Sequence, residues 1–258
     1  MPNDQPVAVL VAGSAYELTD KIIVTSKKLG CALADRGFNL ISGGWEGVDH
    51  LAARAFAESL KEVDGKLSER IVQFMKRGCT PDFPGGRFKS FATENDAWEA
   101  SVMNAQVIIL IGGLGGTYES GLMARRQGKP VLPLADTRCS GEVSHGDAYN
   151  FYFKILESWA TQPIAGLTEE EFSELAGPAP EVVGDCMNLL VKLFGRQPNE
   201  ATSNRRLSHT QAAVALWREK LAYLMEQEAI TFDPAMKFKI LQDIKEAQAK
   251  IMALRGQL

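Results

Sequence analysis

The sequence predicts an α/β protein built on a doubly wound parallel sheet with helices on both faces, followed by a C-terminal α-helical hairpin. Three observations predict it. Short apolar runs alternate with segments of helical spacing over the first 195 residues, three of those runs end in glycine or small-residue turns, and beyond residue 208 only helical spacing remains. A run such as Val107–Ile111 is apolar without alternation, as strands covered on both faces are. Regular alternation of such strands with amphipathic helices specifies a parallel sheet.

Residues 7–11 form the first buried strand, ending in Ala12, Gly13 and Ser14. Residues 19–36 carry Ile22, Leu29 and Leu33 at helical spacing and stop at Gly37. Residues 38–41 make the second strand, which runs into Ser42-Gly43-Gly44-Trp45-Glu46-Gly47. The helix after it places Val48, Leu51, Ala52, Ala55 and Phe56 on one face. Residues 71–74 give a third strand, then a loop holding Pro81, Pro84, Gly85 and Gly86. Residues 94–104 are helical and lead into the strand 107–111. Gly112, Gly113, Gly115 and Gly116 crowd the end of that strand, and Thr117 is the expected N-cap of a helix continuing through Gly121, Leu122, Ala124 and Arg125. Residues 131–134 are the next strand, with Pro133 marking its end. Helices are expected at 149–159, 169–175 and 187–194.

Residues 1–195 therefore form one domain and 196–208 a polar linker containing Pro198. In residues 209–258, Val214, Trp217, Leu221 and Leu224 make one apolar stripe, and Leu241, Ile244, Ala247 and Ile251 make another. Asp233-Pro234 between them supplies a cap and a first-turn proline. A hairpin of this size buries little by itself, which suits an adaptor for a protein partner.

The chemistry is expected at the glycine turns. A helix N-terminus cleared of side chains presents free N–H groups and the positive end of a dipole, the physics of a phosphate site. Ligands of such sheets bind at the carboxyl ends of the strands. Convergence of three turns makes Gly13, Ser14, Gly43, Gly44, Trp45, Glu46, Gly112, Gly113, Gly115, Gly116, Thr117 and Tyr118 the candidate binding residues. Trp45 and Tyr118 are placed to stack on a base, and Glu119 is the candidate catalytic carboxylate. The segment is neither the G-x-G-x-x-G dinucleotide fingerprint nor a Walker loop.

Bulk composition narrows the classes. A net charge of -4 speaks against nucleic acid as partner. Cys31, Cys79, Cys139 and Cys186 lack metal-ligand spacing, as do His50, His145 and His209, so no metal and no resident cofactor are implied. The chain shows no signal peptide and no span of membrane length, and a cytoplasmic location is the expectation.

Residues 7–194 resemble the SLOG superfamily, which includes LOG-type phosphoribohydrolases and nucleotide-sensing domains of bacterial defence proteins. The matching pieces are Ala12-Gly13-Ser14, residues 42–47, and Gly112 to Thr117 with Glu119. Against the pattern PGGxGTxxE, Ile111 replaces the proline, one residue is inserted before Gly116, and the glutamate position counted from Thr117 is Ser120. The arginine of the upstream Met-x-x-Arg falls near Asp96. The resemblance implies a Rossmann-like fold, a homodimer or higher homo-oligomer, and a nucleotide ligand. Residues 217–238 are similar to helical modules appended to bacterial defence effectors. The leading expectation is a sensor or effector domain that binds an adenine or NAD-derived nucleotide, ADP-ribose-like or a nucleoside monophosphate. The alternatives are an N-glycoside hydrolase using Glu119, helped by Glu46 or Asp96, and a scaffold with a vestigial pocket.

Overall fold

A computed structural model describes residues 6–61, 66–138, 146–195, 221, 240–245 and 247–249. The chain divides into two compact units, Met1–Pro198 and Asn199–Leu258. The linker and most of the expected hairpin at 209–258 lie outside the described residues; of that segment, residues 221, 240–245 and 247–249 are helical.

The first unit is a six-stranded, wholly parallel sheet. Its strands are β1 (Ala8–Gly13), β2 (Asn39–Ser42), β3 (Ile71–Lys76), β4 (Arg87–Phe91), β5 (Val107–Ile111) and β6 (Val131–Leu134), in the spatial order β4-β3-β2-β1-β5-β6. The helices are α1 (Asp20–Asp35), α2 (Val48–Lys61), α3 (Leu67–Arg70), α4 (Glu94–Asn104), α5 (Gly116–Arg126), α6 (Asp147–Glu157), α7 (Glu169–Ser173) and α8 (Val183–Phe194). The chain winds outward from β1 to β4 and then returns to add β5 and β6 on the other side of β1. With right-handed crossovers, that reversal puts α1 and α2 on one face and α4 and α5 on the other. This is the predicted doubly wound, Rossmann-like architecture. Among the described residues, no helix is long and apolar enough to cross a membrane.

Every side chain of β5 is buried, as its unbroken apolar run requires. β1 pairs with it over five positions, from Val9 opposite Val107 to Gly13 opposite Ile111. The expected strands and long helices are present, with α6 and α8 starting earlier than their apolar spacing indicates. Two elements have no counterpart in the sequence reading: the short α3, and β4, an edge strand whose Arg-Phe-Lys-Ser-Phe shows no buried face. An edge strand satisfies one side of its backbone in the sheet and needs no apolar run to do so.

Helices α1 and α2 touch along a seam set by Gly30. A Cβ at that position would stand 2.3 Å from the Ala52 carbonyl oxygen and 3.0 Å from the Phe56 nitrogen, both backbone atoms. Alanine raises helix propensity by about 1 kcal/mol over glycine, yet here it wedges two helix backbones apart. Gly30→Ala is therefore expected to lower the unfolding free energy by roughly 1–3 kcal/mol, read by urea denaturation. A stabilised variant would show that the seam is slack.

Candidate functional site

The strand order reverses between β1 and β5, and in sheets of this kind the ligand crevice opens at that switch point, beyond the carboxyl ends of the strands. A cavity of about 480 Å³ lies there. Three turns are tied together around it. Gly13 lets β1 end against its neighbours, because a Cβ would stand 2.5 Å from the Ile111 carbonyl oxygen and 2.6 Å from a Val48 methyl. The Val48 N–H donates to the Ser14 carbonyl at 3.0 Å, joining the β1 turn to the start of α2. Of the expected residues, Gly13, Ser14, Gly43, Trp45, Glu46, Gly116 and Thr117 line this crevice.

The others do not. Gly44 donates its N–H to the Ser42 hydroxyl at 3.0 Å and accepts from the Asp82 N–H, so it serves the turn. Tyr118 turns toward α6 and packs edge-on against Phe151, with ring centroids 5.1 Å apart. Glu119 is exposed and outside the crevice lining. One helical position on, Ser120 faces in, its hydroxyl donating to the Gly116 carbonyl at 3.0 Å. Asp96 closes a capping box with Thr93 at the start of α4.

The glycine turn after β5 differs from its expected form. The N-cap of α5 is Gly115, at φ 94°, and Thr117 lies inside the helix. Gly115 has no side chain to cap with, and Asp147, the first residue of α6, supplies the carboxylate instead. Asp147 accepts from the Tyr118 N–H at 3.1 Å and from the Gly115 N–H. Burial and the nearby Glu119 charge push its carboxyl above the ordinary range, against the pull of those two N–H groups. The turn is held to α6 again by the Asp147 and Ala148 N–H groups, which donate to the Gly113 and Gly112 carbonyls at 2.9 and 2.8 Å. The four glycines have local causes. Gly112, Gly113 and Gly115 have positive φ, and a Cβ on Gly116 would strike the Trp98 ring at 2.9 Å.

Several lining residues were missed in the sequence. Glu94, Trp98 and Ser101 recur at i, i+4 and i+7, one face of α4, and all three line the crevice. Spacing alone hides such a face because it mixes an acid, an indole and a hydroxyl. Tyr16 and Leu114, 75% and 48% exposed, stand among the lining residues as uncovered apolar side chains. Asp49, in the first turn of α2, is 7% exposed. Burial pushes its carboxyl up from 3.8 to about 7, against hydrogen bonds from the Trp45 and Gly43 backbones and the Ser42 side chain. Gly43 makes this approach possible, since a Cβ there would lie 2.8 Å from the Asp49 Oδ2. Among the described residues, no lysine, arginine or histidine lines the crevice, and no cluster of three metal-ligating side chains occurs.

The folded-state value of Asp49 lies above its unfolded value of 3.8, so its contribution to stability is full below 3.8 and is lost as the pH rises to about 7. Compared with Asp49→Asn, the wild-type protein should lose unfolding free energy over that window, with a limiting slope of about 1.4 kcal/mol per pH unit. Above about pH 7 the two should run parallel. Urea titrations across the pH range check this, and parallel curves throughout would mean that folding leaves the Asp49 carboxyl unshifted.

The chain matches no family model, and no curated protein aligns with it by sequence. Among solved structures it is similar to the molybdenum cofactor binding protein from the phototrophic bacterium Rippkaea orientalis, at 20% identity and TM-score 0.44, over 50% of this chain and 76% of that one. It is similar to the Moco carrier protein from Chlamydomonas reinhardtii at 19% identity and TM-score 0.43, over 49% and 75%. DNA processing protein A from Helicobacter pylori shares 17% identity at TM-score 0.47, over 74% and 83%. These are likenesses of fold.

Proposed function

We propose that the crevice binds an adenine-containing, nucleotide-type ligand and that the protein senses this ligand rather than consuming it. The observation that carries the reading is the lining of the switch-point crevice. Trp45 and Trp98 offer aromatic faces, the glycine turns offer backbone edges, and α5 turns Ser120 inward where the resemblance would place a glutamate. A hydroxyl already bonded to the Gly116 carbonyl stabilises no oxocarbenium-like centre. The resemblance to nucleotide-sensing SLOG domains supports an NAD-derived signal and a setting in bacterial defence. Residues 209–258 would then pass occupancy to a protein partner, and the ligand-binding unit would act as a homo-oligomer.

A second reading has its own observation. Asp49 and Glu46 both line the crevice, and Asp49 is a carboxyl able to carry a proton near neutrality. An N-glycoside hydrolase would use one of these, not Glu119, to activate water at C1′ and release the base.

Incubating the full chain with adenosine, AMP, NAD and ADP-ribose, read by thermal shift and chromatography together, separates the readings. The sensor reading expects a shift with intact ligand; free adenine or nicotinamide establishes the hydrolase; silence in both overturns nucleotide binding. Base–aromatic stacking is worth about 1–3 kcal/mol, so Trp98→Ala should weaken binding roughly 5- to 100-fold. Unchanged affinity would place the base elsewhere.

A further inference from the structure

The binding of a nucleotide-type ligand leaves open which end of it the crevice holds. A seat for phosphate needs cations or unclaimed N–H groups. The turn after β5 was expected to supply the second, but Asp147 accepts from the Gly115 and Tyr118 N–H groups, as an N-cap carboxylate does. That places a negative charge of the protein itself where a phosphate would bind. The Trp98 indole packs over Gly116, the glycine of the turn that lines the crevice, where a Cβ would stand 2.9 Å from its ring.

Cations do not make up the difference. Glu46, Asp49 and Glu94 line the crevice, and no Lys, Arg or His does so among the described residues. The cations of this part of the chain are drawn off elsewhere. Arg125, Arg126 and Lys154 line a separate groove between α5 and α6, where Arg125 donates to the Gln162 carbonyl at 2.8 Å. What the crevice does offer suits a nucleoside. Tryptophan faces suit the base, and carboxylate oxygens suit ribose hydroxyls and exocyclic N–H donors.

We infer that the crevice is a nucleoside site, which holds base and ribose against Trp45, Trp98 and the carboxylates of Glu46 and Glu94 and keeps any phosphate outside. This rests on the nucleotide-type reading above. It departs from the phosphate-anchored binding that the glycine turn suggests in the sequence. A 5′-phosphate brings negative charge toward Glu46, Glu94 and Asp147, so each nucleoside should bind more tightly than its own monophosphate.

The test is calorimetric titration of the full chain with adenosine, guanosine, cytidine and uridine and with their four 5′-monophosphates, at low and at high salt. For whichever base binds, the nucleoside is expected to be roughly three- to tenfold tighter than the monophosphate at low salt. The gap should shrink at high salt, because screening weakens repulsion between exposed charges. Asp147→Asn keeps a capping side chain and removes the charge, and with Glu46→Gln it should narrow the gap in the same direction. A monophosphate that binds more tightly than its nucleoside overturns this inference while leaving nucleotide binding intact. No binding by any of the eight overturns this inference, and the series with NAD and ADP-ribose decides the nucleotide-type reading separately. A gap unchanged in both variants overturns charge repulsion as its cause.

Discussion

One carboxylate settles how the centre of this molecule is arranged. The first turn of α5 begins on a glycine with no side chain, so its N–H groups need an acceptor from outside. Asp147 provides it from the start of α6, and the α6 backbone reciprocates by donating to the Gly112 and Gly113 carbonyls. Helix, turn and following helix thus lock in both directions. Phe151, one turn into α6, closes over Gly121 of α5, where a Cβ would stand 2.7 Å from its ring. The glycine turn is therefore a joint between α5 and α6 before it is a ligand loop.

That joint changes what the crevice can be. The topology alone, with a reversal between β1 and β5, puts an opening where nucleotide-binding sheets carry their ligands. The chemistry of the opening is set by side chains that topology does not specify. Here they are two tryptophans, hydroxyls bonded back to their own helices, and carboxyls. A fold supplies a place for function, and its lining supplies the function.

Much of the fold was legible because its signals are local. The apolar run of β5, the helical spacing of α1 and the stop at Gly37 each report a segment's own burial. The edge strand β4 escaped because its residues are largely exposed and its order comes from pairing with β3. The site was half legible. Gly13, Gly43 and Trp45 sit at strand ends, a position that sequence reveals, whereas Trp98 reaches the crevice from a helix that crosses the sheet. Glu119 and Ser120 show the limit most clearly. Adjacent on a helix, they point about 100° apart, and which of them faces in depends on where the helix begins. Taking Thr117 as the cap placed that start two residues late. The true cap, Gly115, is recognised through Asp147, 32 positions further along the chain.

The buried acid in α2 ties the lining of the crevice to the turn after β2. A carboxyl as enclosed as Asp49 costs stability when it ionises, and three hydrogen bonds from that turn only partly offset the cost. An apolar residue at this position would fit the α2 face that packs on the sheet, and Gly43 would not then need to stay bare for a carboxylate oxygen. The turn instead aims the Trp45 and Gly43 N–H groups and the Ser42 hydroxyl at Asp49, and Asp49 in turn lines the crevice. The same hydrogen bonds therefore fix the tryptophan wall and the acid beside it as one unit.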